Sequence, residues 1–187
     1  MTPMTPVAQA IDAALATVIA AGPAAGAQPL GRLRALFRDL ARARPSRDPD
    51  AIEDLIWAHW IDHADPQAAA MMSEAIEAMV ERRLDAAGTL LDRLVMIHPD
   101  WAEAWNKRAT LRFIEGRDAE AVADVARTLA LEPRHFGALS GFGQICLRNG
   151  ALPEAKAAFM IALAINPHLI GIAEAIAEID AASAGRH

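Results

Sequence analysis

Three prolines set the frame of this chain: Pro99 in "HPDW", Pro133 in "EPRH" and Pro167 in "NPHL", each 34 residues after the last. Other positions keep the same step. Ala87, Ala121 and Ala155 form one column, and Leu91, Val125 and Phe159 a second. Leu94, Thr128 and Ala162 form a third, Ala75, Ala109 and Gly143 a fourth, and Gly116 pairs with Gly150. A fixed period of this length means that each unit is one supersecondary hairpin. Such a unit cannot bury its apolar face alone and must stack on its neighbours.

Each unit reads as a helix ("AEAWNKRATLRFI", "FGALSGFGQICLR"), a glycine-containing turn ("EGRD", "NGAL") and a second helix ("AEAVADVARTLAL", "PEAKAAFMIALAI") that stops just before the proline. Proline cannot continue a helix and disfavours helical geometry in the residue before it. The small-residue columns fall where two helices approach closely, and the bulkier column at 91, 125 and 159 fills the space beside them. Composition agrees with helices: apolar residues, many of them alanine, make up 53% of the 187, aromatics only 5%, and tyrosine is absent. No run alternates apolar and polar residues as a half-buried strand would. The expected class is all-α.

The units resemble the tetratricopeptide repeat (TPR), a 34-residue helix-turn-helix with a Trp, a small residue, a second Ala, an aromatic, another Ala and a closing Pro. In the second unit those positions hold Trp105, Ala109, Ala121, Val125, Thr128 and Pro133. In the third they hold Leu139, Gly143, Ala155, Phe159, Ala162 and Pro167, and in the looser first Met71, Ala75, Ala87, Leu91, Leu94 and Pro99. The resemblance implies a right-handed α-solenoid with repeats at 67–100, 101–134 and 135–168. One departure stands out: the helix A column usually occupied by Tyr holds Ala78, Arg112 and Cys146. The stretch from Glu103 to Gly143 is also similar to a group of small stand-alone bacterial repeat proteins.

The flanks complete the expected architecture. "LGRLRALFRDLARA" and "PDAIEDLIWAHWIDHA" read as a helical hairpin at 29–66, a degenerate repeat ahead of the first, with Pro66 near the periodic position. Residues 169–187 read as a capping helix and tail that close the open end. Residues 1–28 admit two readings. Pro23 and the small residues Ala25-Gly26-Ala27 before Gln28 resemble the end of a secretory signal, which implies export to the periplasm. Against that, no Lys or Arg precedes the apolar stretch and Asp12 lies inside it, as in a helix of a cytoplasmic protein. The stretch is too short and interrupted to span a membrane.

The net charge of −6 argues against a phosphate-backbone binder, so no nucleic-acid partner is expected. The arginines at 32, 34, 38, 42, 44 and 47 read as a solvated helix face. "RHFGALSGFG" has the look of a serine site, but no strand precedes Ser140 to make a nucleophile elbow or a phosphate loop. His59 and His63 stand at a helical spacing that suits two metal ligands, without the glutamate or third ligand that would complete a site. Cys146, the single cysteine, falls in a packing column. Trp57 and Trp60 share one helical face and read as packing between the hairpin and the first repeat. No catalytic residue, metal or cofactor is expected.

The resemblance leaves a concave groove lined by the first helix of each repeat. It comprises Ala69, Met72, Ile76 and Met79, then Asn106, Thr110 and Phe113 with Lys107 beside them, then Ser140, Gln144 and Leu147. A family clamp for a C-terminal carboxylate is not supported, because Met72, Ile76, Gly137 and Gly141 occupy its outer positions. The expected function is a non-catalytic scaffold that holds a peptide or protein in this groove. The alternatives are a groove covered by the flanking helices, self-association end to end, or a metal protein using His59 and His63.

Overall fold

The computed structural model describes residues 5–21, 31–42 and 48–184, with side chains in the first helix as far as Ala16. Every regular element among them is a helix. The order is α1 (Pro6–Ala21), α2 (Gly31–Ala41), α3 (Pro49–Ile61), α4 (Pro66–Val80), α5 (Leu84–Ile97), α6 (Ala102–Ile114), α7 (Asp118–Leu131), α8 (Phe136–Arg148), α9 (Leu152–Ile165) and α10 (Ile172–Ala184). The second helices α5, α7 and α9 begin 34 residues apart, as do α6 and α8. The helices pair as α4 with α5, α6 with α7 and α8 with α9, and the pairs stack into an α-solenoid.

The turn inside each pair shows how sequence fixes this geometry. Arg82, Gly116 and Gly150 are one column of the 34-residue period, and all three have positive φ (63°, 76° and 72°). Each ends its helix in a left-handed residue that bonds back to the carbonyl three before it, at Met79, Phe113 and Leu147. The next amide bonds to the carbonyl of Ala78, Arg112 or Cys146. This is a Schellman cap, which satisfies carbonyls that the helix end would otherwise leave unpaired. Two of the three positions are glycine because only glycine takes that conformation without steric cost.

The column that lacks tyrosine is repacked differently in each repeat. Ala78 and Cys146 are fully buried. Arg112 is buried as well, and its Nε lies 3.2 Å from Asp124 Oδ2. The same carboxylate takes a two-pronged bond from Arg108, Nε to Oδ2 at 2.8 Å and Nη2 to Oδ1 at 2.7 Å. Two guanidiniums and a buried aspartate thus fill the space of one aromatic ring. The small column behaves as its spacing predicts: a Cβ added to Gly143 would sit 2.3 Å from the Phe159 ring.

The hairpin of α2 and α3 does not precede the first repeat as a stacked, degenerate unit, contrary to the sequence reading. The reason lies in the face of α4 that a preceding helix would cover. The columns Ala70/Ala104/Ala138, Glu74/Arg108/Phe142 and Glu77/Leu111/Ile145 are the stacking face of each first helix. Ala104, Leu111, Ala138, Phe142 and Ile145 are buried between repeats, whereas Ala70, Glu74 and Glu77 are exposed. Two glutamates on that face make α4 a polar solenoid end. The hairpin instead crosses the edge where the first helices begin. Trp101 Nε1 donates to the Trp60 carbonyl at 2.8 Å, Asn166 Nδ2 donates to Glu53 Oε2 at 2.7 Å, and His168 Nε2 lies 3.2 Å from the Leu40 carbonyl. Trp57 and Trp60 pack on His135 and Phe136 of the third repeat, while Trp101 at the start of the second meets α3 through the Trp60 carbonyl.

Two further helices cover the solenoid. α1 lies against α7 and α9, burying Ile11 and Ala14 in the core that these helices share. α10 lies on α9 and buries Ile172 and Ile179. The small-residue run at 25–27 and the arginines at 44 and 47 lie outside the described residues.

Candidate functional site

The first helices α4, α6 and α8 form the concave side, and the structure divides the expected groove residues into three groups. Asn106, Thr110 and Phe113 from α6 and Gln144 from α8 come together around one cavity of about 100 Å³. Gly137 and Gly141 supply its other wall. No atom lies within 4 Å of a Cβ built on Gly141, so the missing side chain is the space. Both glycines that remove the clamp positions line the cavity, but only Gly141 leaves its side-chain space open, because the Trp57 ring takes the place of a Gly137 side chain; sequence reading assigned neither role.

Repeat one contributes differently. Met72 is fully buried and cannot line a groove. Its place among the groove residues came from register, and helical spacing alone does not separate an inward face from a concave one. Ile76 and Met79 are half-buried against the core of that repeat. Ala69 faces a separate cleft of about 490 Å³ between α3 and α4, beside Ser73, Leu55 and His59.

The remaining groove residues are engaged by neighbours. Ser140 donates its hydroxyl to the Phe136 carbonyl at 2.9 Å, the usual back-bond of a helical serine. Thr110 does the same to Asn106 at 3.0 Å. Leu147 packs partly buried on the core, and the Arg148 guanidinium covers the Phe113 ring at 3.6 Å. Lys107 places its Nζ 3.0 Å from Glu103 Oε1 and 5.2 Å from the Trp57 ring centre.

Glu103 anchors a buried polar cluster that the sequence reading missed. Its carboxylate is fully buried and takes hydrogen bonds at Oε2 from Asn106 Nδ2 at 3.0 Å and from His135 Nε2 at 2.8 Å. His135 Nδ1 accepts the Ala138 amide at 3.1 Å and so caps α8. With Nδ1 an acceptor, the ring hydrogen sits on Nε2 and points at the carboxylate. Burial pushes the Glu103 pKa up, but the His135 bond and the Lys107 charge together outweigh it and hold the carboxyl below its ordinary value. His135 is stacked on Trp60 with ring centres 4.0 Å apart. The cluster therefore ties the second repeat, the third repeat and the hairpin together.

The metal reading finds little support in the geometry. His63 Nδ1 accepts the Asp65 amide at 3.1 Å and its ring packs on Trp101, while His59 lies on the α3–α4 cleft. Among the described residues no group of three His, Cys, Asp or Glu side chains converges as a metal site would. Burial, with the nearby Glu154 charge, pushes the Cys146 thiol up to about 12, so it is not an activated nucleophile. Among the described residues no helix is long and apolar enough to cross a membrane.

Comparison with known proteins places this geometry. No family model matches the chain. It is 38% identical over 126 residues to a TPR repeat-containing protein of Rhizobium etli, a match that spans 67% of this chain and 62% of that relative. The chain thus covers about three fifths of the length of the curated relative it matches. Among solved structures it is similar to the first TPR of Spaghetti (RPAP3) bound to an HSP90 peptide, SRMEEVD, with a TM-score of 0.61 and 22% identity. That match covers 65% of this chain and 98% of the other. It is also similar to the Sgt2 TPR domain from Aspergillus fumigatus, with a TM-score of 0.60 and 18% identity over 66% of this chain and 84% of that one. Period, caps, stacking and the Rhizobium relative agree: the chain is a tetratricopeptide-repeat protein.

Proposed function

We propose that this protein is a non-catalytic interaction scaffold that holds a peptide or protein segment on the concave face of α6 and α8. The observation that carries the reading is the cavity that Gly141 leaves open between α6 and α8. At about 100 Å³ it is far smaller than the roughly 300–1,000 Å³ of a small-molecule or cofactor site. Its size suits one aliphatic side chain of a partner, and the exposed Gln144 amide stands beside it to bond a peptide backbone. A free carboxylate is a poor fit, because no cation lines the cavity and Lys107, on the same helix as its α6 wall, is already paired with Glu103. The neighbour solved with an HSP90 peptide supports the use of such a scaffold for peptides, as an analogy of fold.

The test is to fill the cavity. Peptides selected from a random library against the native protein should bind Gly141→Leu at least ten-fold more weakly, about 1.4 kcal/mol. Helicity should be unchanged, since leucine is a better helix former than glycine. Equal binding to both proteins would remove the cavity from the site. The exposed Glu74 and Glu77 on the outer face of α4 work against self-association by stacking at that end.

For residues 1–28, the burial of Ile11 and Ala14 against α7 and α9 supports a helix of the fold over a cleaved export signal. Sequencing the N-terminus of protein recovered from fractionated cells should find α1 present. A chain beginning at Gln28 would restore the signal reading.

A further inference from the structure

Part of the concave face is already filled, and by this chain. The Trp57 ring sits so close to Gly137 that a Cβ there would lie 2.4 Å from it, and the Lys107 ammonium covers the same ring at 5.2 Å. Glu53, one turn earlier on α3, accepts the Trp57 indole N–H at 3.1 Å and the Asn166 amide at 2.7 Å. Trp60, one turn later, lies on His135 and Phe136. Gly137 has a second role, because it also lines the open cavity beside Gly141. Gly137 therefore borders both the Trp57 seat and the cavity, and a ligand extended along α8 from the cavity toward Gly137 meets the indole.

We propose that α3 is the resident ligand of this groove, and that a partner engages it fully by displacing Trp57. The displacing segment carries the same chemistry: an amphipathic helix with a carboxylate four residues ahead of an indole. The proposal rests on the groove being the partner site. The hairpin's hold on the solenoid differs from that of the repeats in kind. It rests on Phe37, Trp57 and Trp60 seated on His135 and Phe136, with a few side-chain bonds at the solenoid edge, and its backbone approaches the repeats at far fewer points than neighbouring repeats approach one another. Sub-global opening draws on such weakly attached elements. A ligand that needs the open form binds with an apparent Kd raised by the inverse of the open fraction, so loosening α3 tightens binding without any new contact.

The probe is α3 itself: a fluorescein-labelled peptide with the sequence of residues 48–64, titrated by anisotropy against the full chain. Trp57→Ala should bind it saturably and at least ten-fold more tightly than the native protein. Adding Gly137→Leu to Trp57→Ala should abolish that gain, because the side chain fills the seat. Equal affinity for native and Trp57→Ala proteins, or no saturable binding to either, would overturn the proposal. So would undiminished binding to the double variant. Amide exchange gives a readout that needs no ligand. In the native protein α3 should exchange at least ten-fold faster than α6 and α8, and exchange of all three only through global unfolding would also overturn it. If the 48–64 peptide binds while library peptides ignore Gly141→Leu, the cavity reading fails and this one stands.

Discussion

Phe159→Ala is expected to lower the free energy of unfolding by about 3–5 kcal/mol, out of the roughly 5–15 kcal/mol of a typical domain. The ring is fully buried, and it fills the space left by Gly143 on the facing helix. The reciprocal change tests that contact more sharply. Gly143 lies within α8, so alanine there should gain about 1 kcal/mol of helix propensity. The added Cβ, however, would stand 2.3, 2.6 and 2.7 Å from three atoms of a ring that has no exposed side to move toward. Overpacking of this kind costs about 1–3 kcal/mol, so the net effect should be destabilising. Combining Gly143→Ala with Phe159→Leu should recover part of the loss, since the smaller side chain vacates the clash. Urea unfolding of the three variants measures all of this. A Gly143→Ala protein more stable than the native one would mean that the two helices are not held at this contact.

What the sequence revealed was whatever repeats. The 34-residue step located α4 to α9, their turns and their small and large columns, because each residue in a repeat meets the equivalent environment in the next. The hairpin has no period, so its helices were legible and its place was not. Its actual exclusion from the stack was nonetheless written in the chain. Glu74 and Glu77 stand in columns that hold Arg108 and Phe142, then Leu111 and Ile145, and a buried stacking face does not carry two adjacent glutamates. The groove was legible in the same partial way. Asn106, Thr110, Phe113 and Gln144 do meet at one cavity, but Gly141, which leaves it open, signals by absence, which a search for ligating side chains passes over. His135 stands two residues after a repeat proline, where the sequence offers no sign of a buried role. Histidine is not a preferred N-cap residue, and only the three-dimensional meeting with Glu103 gives it a role.

Glu103→Ala should cost about 3–5 kcal/mol, because removing one member of a buried ionic cluster strands the others. His135 Nε2 and Asn106 Nδ2 direct hydrogens at this carboxylate, and the Lys107 ammonium pairs with it at 3.0 Å. Glu103→Gln keeps the volume and one acceptor oxygen, so it should cost less than alanine while still losing the Lys107 ion pair. The acid also sits in the first turn of α6, where the helix dipole favours a negative charge. The pH dependence separates this cluster from simple packing. A carboxyl held below its ordinary pKa in the folded state contributes stability that is present above about 4.5, the unfolded value. That contribution is lost as pH falls through the lowered folded value, since the native carboxylate must then take up a proton it holds weakly. Native stability should therefore drop below about pH 4.5, and the Glu103→Gln protein should show a shallower slope over the same range. Because His135 also carries Trp60, the same variants should speed amide exchange in α3 beyond what their global stability predicts. Slopes that superimpose for native and Gln proteins would place Glu103 among the packing residues and remove its charge from the link between repeats and hairpin.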